Sequence, residues 1–258
     1  MQRAIIVIFL FALPLLAEAQ LSGLGTYASP WSGTLDGDAT WSGTKYINGD
    51  IIVDNEKLKI SAGAKIVFLS ETADLIITGT GQLDADGASG NTILFTSDDD
   101  NDGNNGETGE RWGHISFQSM GSAGASLIDN CIIEWGDVSG TSLPNRYGGG
   151  IHTQFTNLTI SNSIIRNNRA GFGGGIFINT GVSPTINNCY IQNNTSSSSG
   201  GGMYIWSNTA SVISNCVISN NTSSSGGGGG GIFLGNLCGN VRFYNCTIVN
   251  NSASTNGK

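Results

Sequence analysis

In the second half of the chain, apolar residues fall into short alternating runs and not into helical faces. In Thr185-Ile186-Asn187-Asn188-Cys189-Tyr190-Ile191-Gln192-Asn193-Asn194, apolar or small side chains sit at 186, 189 and 191, with polar ones mostly between. Alternation with period two predicts strands with one buried face. The phase breaks at Asn188, which predicts a corner, and asparagine tolerates the left-handed backbone that corners need. Asn130, Asn162, Asn215 and Asn245 hold the same place in neighbouring segments. The phrase itself recurs, with starts at Ser163, Cys189, Cys216 and Cys246 and a degenerate copy at Cys131. A glycine triplet and an apolar residue stand beside each copy: Gly148 to Ile151, Gly173 to Ile176, Gly200 to Met203 and Gly229 to Ile232. A fixed period of this size predicts a stacked array of coils. With Thr195 to Ser199 read as a turn, each period supplies three short strands and three turns.

One such unit cannot bury its apolar face alone. Its segments are short, β-branched and broken by glycine, which argues against helix. If each winding lies on the one before, equivalent strands form long parallel sheets and like side chains pile on like. Ile160, Ile186, Ile213 and Phe243 are then one inward column, Ile165, Ile191, Ile218 and Ile248 another, and the corner asparagines form amide ladders. Cys131, Cys189, Cys216 and Cys246 share one position, filled by Ser163 in the remaining copy. Neighbours in such a column are about 4.8 Å apart, which permits a disulfide without requiring one. Small buried cysteines behave as apolar filler, so free thiols are the expectation and a Cys189 to Cys216 bridge the alternative. Cys238 lies outside the column.

These features predict an all-β chain, a right-handed parallel β-helix with an irregular N-terminal cap. Residues from about 127 to 258 resemble right-handed parallel β-helix proteins. The GGG[IM] and IxxN phrasing also resembles the GGA[ILV] and FxxN repeats of the polymorphic outer membrane proteins, with glycine in place of alanine and isoleucine in place of phenylalanine. That resemblance implies an exported, surface-associated scaffold. Residues 51–126 read as earlier, less regular coils built on Ile51-Ile52-Val53, Leu58-Lys59-Ile60, Ile66-Val67-Phe68, Leu75-Ile76-Ile77, Ile93-Leu94-Phe95 and Ile115-Ser116-Phe117. The stretches Ile60 to Ile66 and Gly79 to Ala85 resemble the opening coils of exported bacterial β-helix proteins. An exposed first coil is a template for edge pairing, so residues 20–50, with Trp31 and Trp41, are the candidate cap. Regular repeats occupy 127–258, and the chain stops where the next glycine triplet is due, which predicts further coils beyond Lys258.

Arg3, the apolar run Ile5 to Leu16 and Ala17-Glu18-Ala19 have the three parts of a secretory signal, residues 1–19, with cleavage after Ala19. No later apolar stretch approaches the ~20 residues that span a bilayer. The mature chain is therefore expected to be secreted or at the cell surface. Of 258 residues, 19 are Asp or Glu, giving a formal net charge of −8. All of the acids lie at or before Asp137, and five scattered cations follow: Arg146, Arg166, Arg169, Arg242 and Lys258. These make no basic stripe, which excludes nucleic acid as an expected partner.

Candidate chemistry is sparse. The acidic loop 98–110 contains Asp98-Asp99-Asp100-Asn101-Asp102-Gly103, and the alternate oxygens of Asp98, Asp100 and Asp102 could converge on calcium. The acidic residue expected at the loop's twelfth position is missing, since Gly109 stands there. Calcium is thus the only cofactor suggested, and a solvated acidic loop is the other reading. Carbohydrate-cleaving β-helices need carboxylates, and only Asp129, Glu134 and Asp137 lie near the regular coils. A Glu134/Asp137 pair is the candidate for such chemistry, with Glu134 expected to face outward. His114 and His152 are far apart in sequence and read as exposed strand residues. If Ile151, Ile176, Met203 and Ile232 point inward, then His152, Phe177, Tyr204 and Phe233 point outward in one row, with Trp206 beside them. Exposed aromatic rows can grip sugar rings or another protein, while a covering loop or plain ladder stacking would make the row structural. The leading expectation is a non-catalytic scaffold that contacts a polysaccharide, a cell-surface glycan or another surface protein. The alternative is a polysaccharide lyase or glycoside hydrolase of the β-helix type.

Overall fold

The computed structural model describes residues 25–98, 110–118, 125–140, 146–154, 158–207, 210–224, 228–236 and 238–254. Among them there is no helix, and every pairing between strands is parallel. The chain winds as a parallel β-helix. One complete winding runs through the strands Ile176–Ile178, Thr185–Asn187, Tyr190–Gln192 and Thr195–Ser199 before Met203–Ile205 begins the next. Each strand pairs with its counterpart one coil on, as in Ile186↔Ile213 and Ile191↔Ile218.

The structure has four strands per winding where the alternation predicts three. Thr195–Ser199 is a strand, in register with Thr222–Ser223 and then Ser252–Ala253. A run of serine and threonine has no apolar period to reveal it, yet its alternation survives in burial. Ser196 and Ser223 are fully buried while Ser197, Thr222 and Ser224 are exposed. Backbone pairing supplies the hydrogen bonds, and Ser223 Oγ donates to Ser198 O at 2.7 Å.

The inward columns form as their spacing predicts. Ile160, Ile186 and Ile213 have no exposed surface, nor do Ile165, Ile191 and Ile218. In the last described coil Phe243 is half-buried and Ile248 is 53% exposed. The corner asparagines 130, 162, 188, 215 and 245 all take φ between 47° and 55°. Their amides link coils on the surface in pairs, Asn188 Nδ2 donating to Asn162 Oδ1 (2.7 Å) and Asn245 Nδ2 to Asn215 Oδ1 (2.8 Å), while Asn215 Nδ2 donates to Asn187 Oδ1 (2.8 Å) and interrupts the corner ladder. All five cysteines are free.

A second asparagine ladder is buried. Asn168, Asn194 and Asn221 have no exposed surface. Asn194 Nδ2 donates to Ile165 O (3.0 Å) and to Asn221 Oδ1 (3.1 Å), while Asn194 Oδ1 accepts from Asn168 N and Nδ2. The glycine triplets pack against this ladder and against each other. A Cβ on Gly174 would lie 2.4 Å from both Gly201 O and Thr195 O, so backbones approach too closely for any side chain. At Gly175 it would lie 2.7 Å from Gly202 O and 2.9 Å from Asn194 Nδ2. The alanine found in the repeats that this phrase resembles therefore does not fit here without displacing the ladder.

Strand Thr44–Asp54 joins the two halves of the largest sheet, its first part pairing with Lys65–Phe68 and its last with Leu75–Thr78. At that end of the stack Trp31 and Trp41 are buried, with ring centroids 5.0 Å apart.

Candidate functional site

The strands that follow the glycine triplets carry the aromatic row in register. His152 pairs with Phe177, Phe177 with Tyr204 and Tyr204 with Phe233. Their neighbours Ile151, Ile176 and Met203 belong to the core, so strict alternation places the row on the outer side of the sheet. Parallel in-register pairing then forces ring onto ring. Phe177 and Tyr204 stack at 5.1 Å with 14° between planes, and Tyr204 and Phe233 at 4.8 Å with 27°.

The row is nevertheless largely covered, as in the reading that makes it structural. His152, Phe177 and Tyr204 are 8%, 3% and 4% exposed. Tyr147 lies 4.4 Å from Phe177 and 5.9 Å from His152, and Phe172 meets Tyr204 edge-on at 5.5 Å. Trp206 alone of the five predicted residues is properly exposed, at 40%, and it stacks beside Tyr204 at 5.7 Å. Phe233 is half-buried.

What remains open is a groove of about 390 Å³ lined by Tyr147, Phe172, Phe177, Asn179, Tyr204 and Trp206. Phe177, Tyr204 and Trp206 come from the predicted site. Tyr147, Phe172 and Asn179 were not anticipated, although Tyr147 and Phe172 both stand directly before a glycine triplet and bridge each other across coils. That repeat position carries the signal that could have found them. Among the described residues no charged side chain lines the groove. Burial, and then the neighbouring Tyr147 and Cys238, push the Tyr204 phenol up to about 12, so it stays a neutral donor.

Both histidines are buried, contrary to the exposed positions expected of them. His114 is 4% exposed; its Nδ1 lies 2.9 Å from Gly148 O and 3.1 Å from Tyr147 O, and its backbone N–H donates to Asp74 Oδ1 at 2.8 Å. His152 sits 5.9 Å from His114, ring to ring, and its Nε2 has no hydrogen-bond partner among the described residues. Burial first, and His114 second, lower its pKa to about 3. The two rings end up together because the strands Ile115–Phe117 and Ile151–Thr153 pair.

Glu134 is 3% exposed and does not face solvent. Arg166 Nε donates to Glu134 Oε2 at 2.7 Å, and Thr96 Oγ1 donates to Glu134 Oε1 at 3.1 Å. Asp137 Oδ1 accepts from Ser139 N and Oγ, and its other oxygen lies 3.9 Å from Arg169 Nη1. Asp137 also lines a cavity of about 350 Å³ with Glu71, Thr72, Arg111, Ser139 and Gly140. Trp135, between the two carboxylates, adopts φ 66°, and the Arg111 guanidinium lies over its ring at 4.9 Å. A bulky residue in that conformation is an outlier.

Of the candidate calcium ligands, Asp98 is 1% exposed, with Lys65 Nζ 3.6 Å from Oδ2 and no hydrogen-bond partner for Oδ1 among the described residues. Asp100 and Asp102 lie outside the described residues, as do residues 1–24. Among the described residues no three His, Cys, Asp or Glu side chains converge as a metal site, and no helix is long and apolar enough to cross a membrane.

A family model described as the right-handed β-helix region matches residues 110–257, more than half of the chain. Together with the parallel in-register coils, this makes the protein a member of the right-handed β-helix family. No curated protein and no solved structure matches it.

Proposed function

We propose that the protein is an exported, non-catalytic β-helix scaffold whose aromatic groove contacts a polysaccharide or cell-surface glycan. The groove itself carries the reading. It combines aromatic walls, neutral polar groups and a volume in the range of small-ligand sites, roughly 300–1,000 Å³. Export is supported by the composition of residues 1–19, and the repeat architecture suits an extended binding surface.

The test is binding of the purified chain to a panel of polysaccharides and cell-surface glycans, with Trp206→Ala beside wild type. Trp206 is exposed, so its removal leaves the core intact. Binding that Trp206→Ala abolishes is the expected result; absence of binding to every glycan refutes the reading.

A second reading is a polysaccharide-cleaving enzyme, favoured by the cavity that gathers Glu71, Arg111 and Asp137 beside the strained Trp135. New reducing or unsaturated ends from an acidic polysaccharide, lost in Asp137→Asn, would establish it and displace the scaffold reading. Another surface protein as the groove's occupant predicts no glycan binding at all.

A further inference from the structure

We infer that the groove selects uncharged pyranose units, with Trp206 as the stacking platform and Asn179 as the residue that orients the sugar. The inference rests on the glycan reading and names its substrate class.

Phe177, Tyr204 and Phe233 spend their ring faces on one another, at 5.1 and 4.8 Å and near-parallel planes. A sugar cannot slide between them. Trp206 ends the lateral stack on Tyr204 and is 40% exposed, so its outer face is the one available to the apolar face of a pyranose. Phe172 and Tyr147 add further aromatic surface to the lining.

Orientation requires a polar group of fixed direction. Asn179 Oδ1 accepts from Thr180 N at 2.7 Å, which pins the amide and leaves its Nδ2 donors for sugar hydroxyl oxygens. Asn179 directly follows Ile176–Ile178 and its backbone N donates to Thr153 O at 3.0 Å, so the strand holds it rigidly at the groove's edge.

Charge decides the class. Among the described residues no cation lines the groove. Arg146, the nearby one, lies over Phe172 at 5.6 Å from guanidinium carbon to ring centroid, with Nη2 donating to Ser197 Oγ at 3.1 Å. A carboxylate or sulfate entering the groove gives up hydration there and meets no lining cation that replaces it directly. Neutral hydroxyls lose little, because Asn179 and the un-ionised phenol of Tyr204 replace water.

The experiment is titration calorimetry of the full chain, with Trp206 fluorescence as a second signal, against neutral hexose oligosaccharides and uronic acid oligosaccharides of equal length. The expected result is saturable binding of a neutral series, with the uronates weaker by about tenfold or more. Trp206→Ala should abolish binding, Asn179→Ala should weaken it about fivefold to tenfold, and Asn179→Lys should shift preference toward the uronates. Circular dichroism confirms that the variants fold. Uronates binding as tightly as neutral sugars, with both lost in Trp206→Ala, overturn the selectivity and leave the glycan reading standing. If neither series binds, the glycan reading fails and this inference falls with it.

Discussion

The residue whose environment departs most from its sequence context is His152. As an imidazole in an alternating strand it reads as a surface residue, yet Tyr147, Phe177 and His114 enclose it. Its folded pKa of about 3 lies below the unfolded value of about 6.5, so the unfolded chain binds more protons between those limits. The stability it contributes is complete above about pH 6.5 and is lost as pH falls toward 3, on the order of 3 kcal/mol by pH 4. Asp74, raised by burial, works in the opposite direction, so the informative quantity is a difference between variants. His152→Phe extends the stacked row and removes the proton site. Melting temperatures measured from pH 7 to pH 4 should fall less steeply in the variant; parallel curves would show that His152 is not the group responsible. Nothing in the sequence around His152 announces its burial, because Tyr147 reaches it from the preceding coil junction and not from its own strand. The aromatic row, by contrast, was legible from the single assumption that Ile151, Ile176 and Met203 point inward.

At the scale of the element, the two asparagine ladders look alike in sequence and differ in energy. Asn188 sits at an exposed corner and is valued for its φ of 54°, a conformation that glycine also accepts. Asn194 is fully buried and donates to Ile165 O and Asn221 Oδ1 while accepting from Asn168 N and Nδ2. Losing it strands several buried polar groups at once. Asn194→Ala should therefore cost roughly 2–5 kcal/mol in urea unfolding, and Asn188→Gly less than about 1. Equal costs would mean that the buried ladder adds no more than the exposed corner does. A related contrast holds for the triplets: Gly174→Ala places a methyl 2.4 Å from two carbonyl oxygens and should lower the melting temperature by several degrees, with loss of expression as the extreme outcome. The strands flanking Asn188 could be read from Ile186 and Ile191. The strand Thr195–Ser199 could not, since its inward residue is Ser196 and serine carries no apolar signal.

For the molecule as a whole, stability is a sum of contacts between neighbouring coils, since each coil draws its burial from the two beside it and from nothing further away. The column Ile165, Ile191 and Ile218 runs through three successive coils with no exposed surface, in register as Ile165↔Ile191 and Ile191↔Ile218. On the same strand as Ile191, Tyr190 points the other way and is 49% exposed. Ile191→Ala opens a cavity between two filled coils and should cost about 2–4 kcal/mol in urea unfolding, whereas Tyr190→Ala should cost under about 1. Equal costs would mean that the outer face of the sheet holds the coils together as much as the column does, and the shared interior would lose its place as the source of stability. Coupling between neighbours makes a second demand. Ile165→Ala and Ile218→Ala lie two coils apart and should destabilise additively, whereas Ile165→Ala and Ile191→Ala share a packed layer and should not. Tyr190 lies outside the groove lined by Tyr204 and Trp206, so glycan affinity measured in Tyr190→Ala should match the unmodified protein and separates the stability of the stack from the integrity of the site.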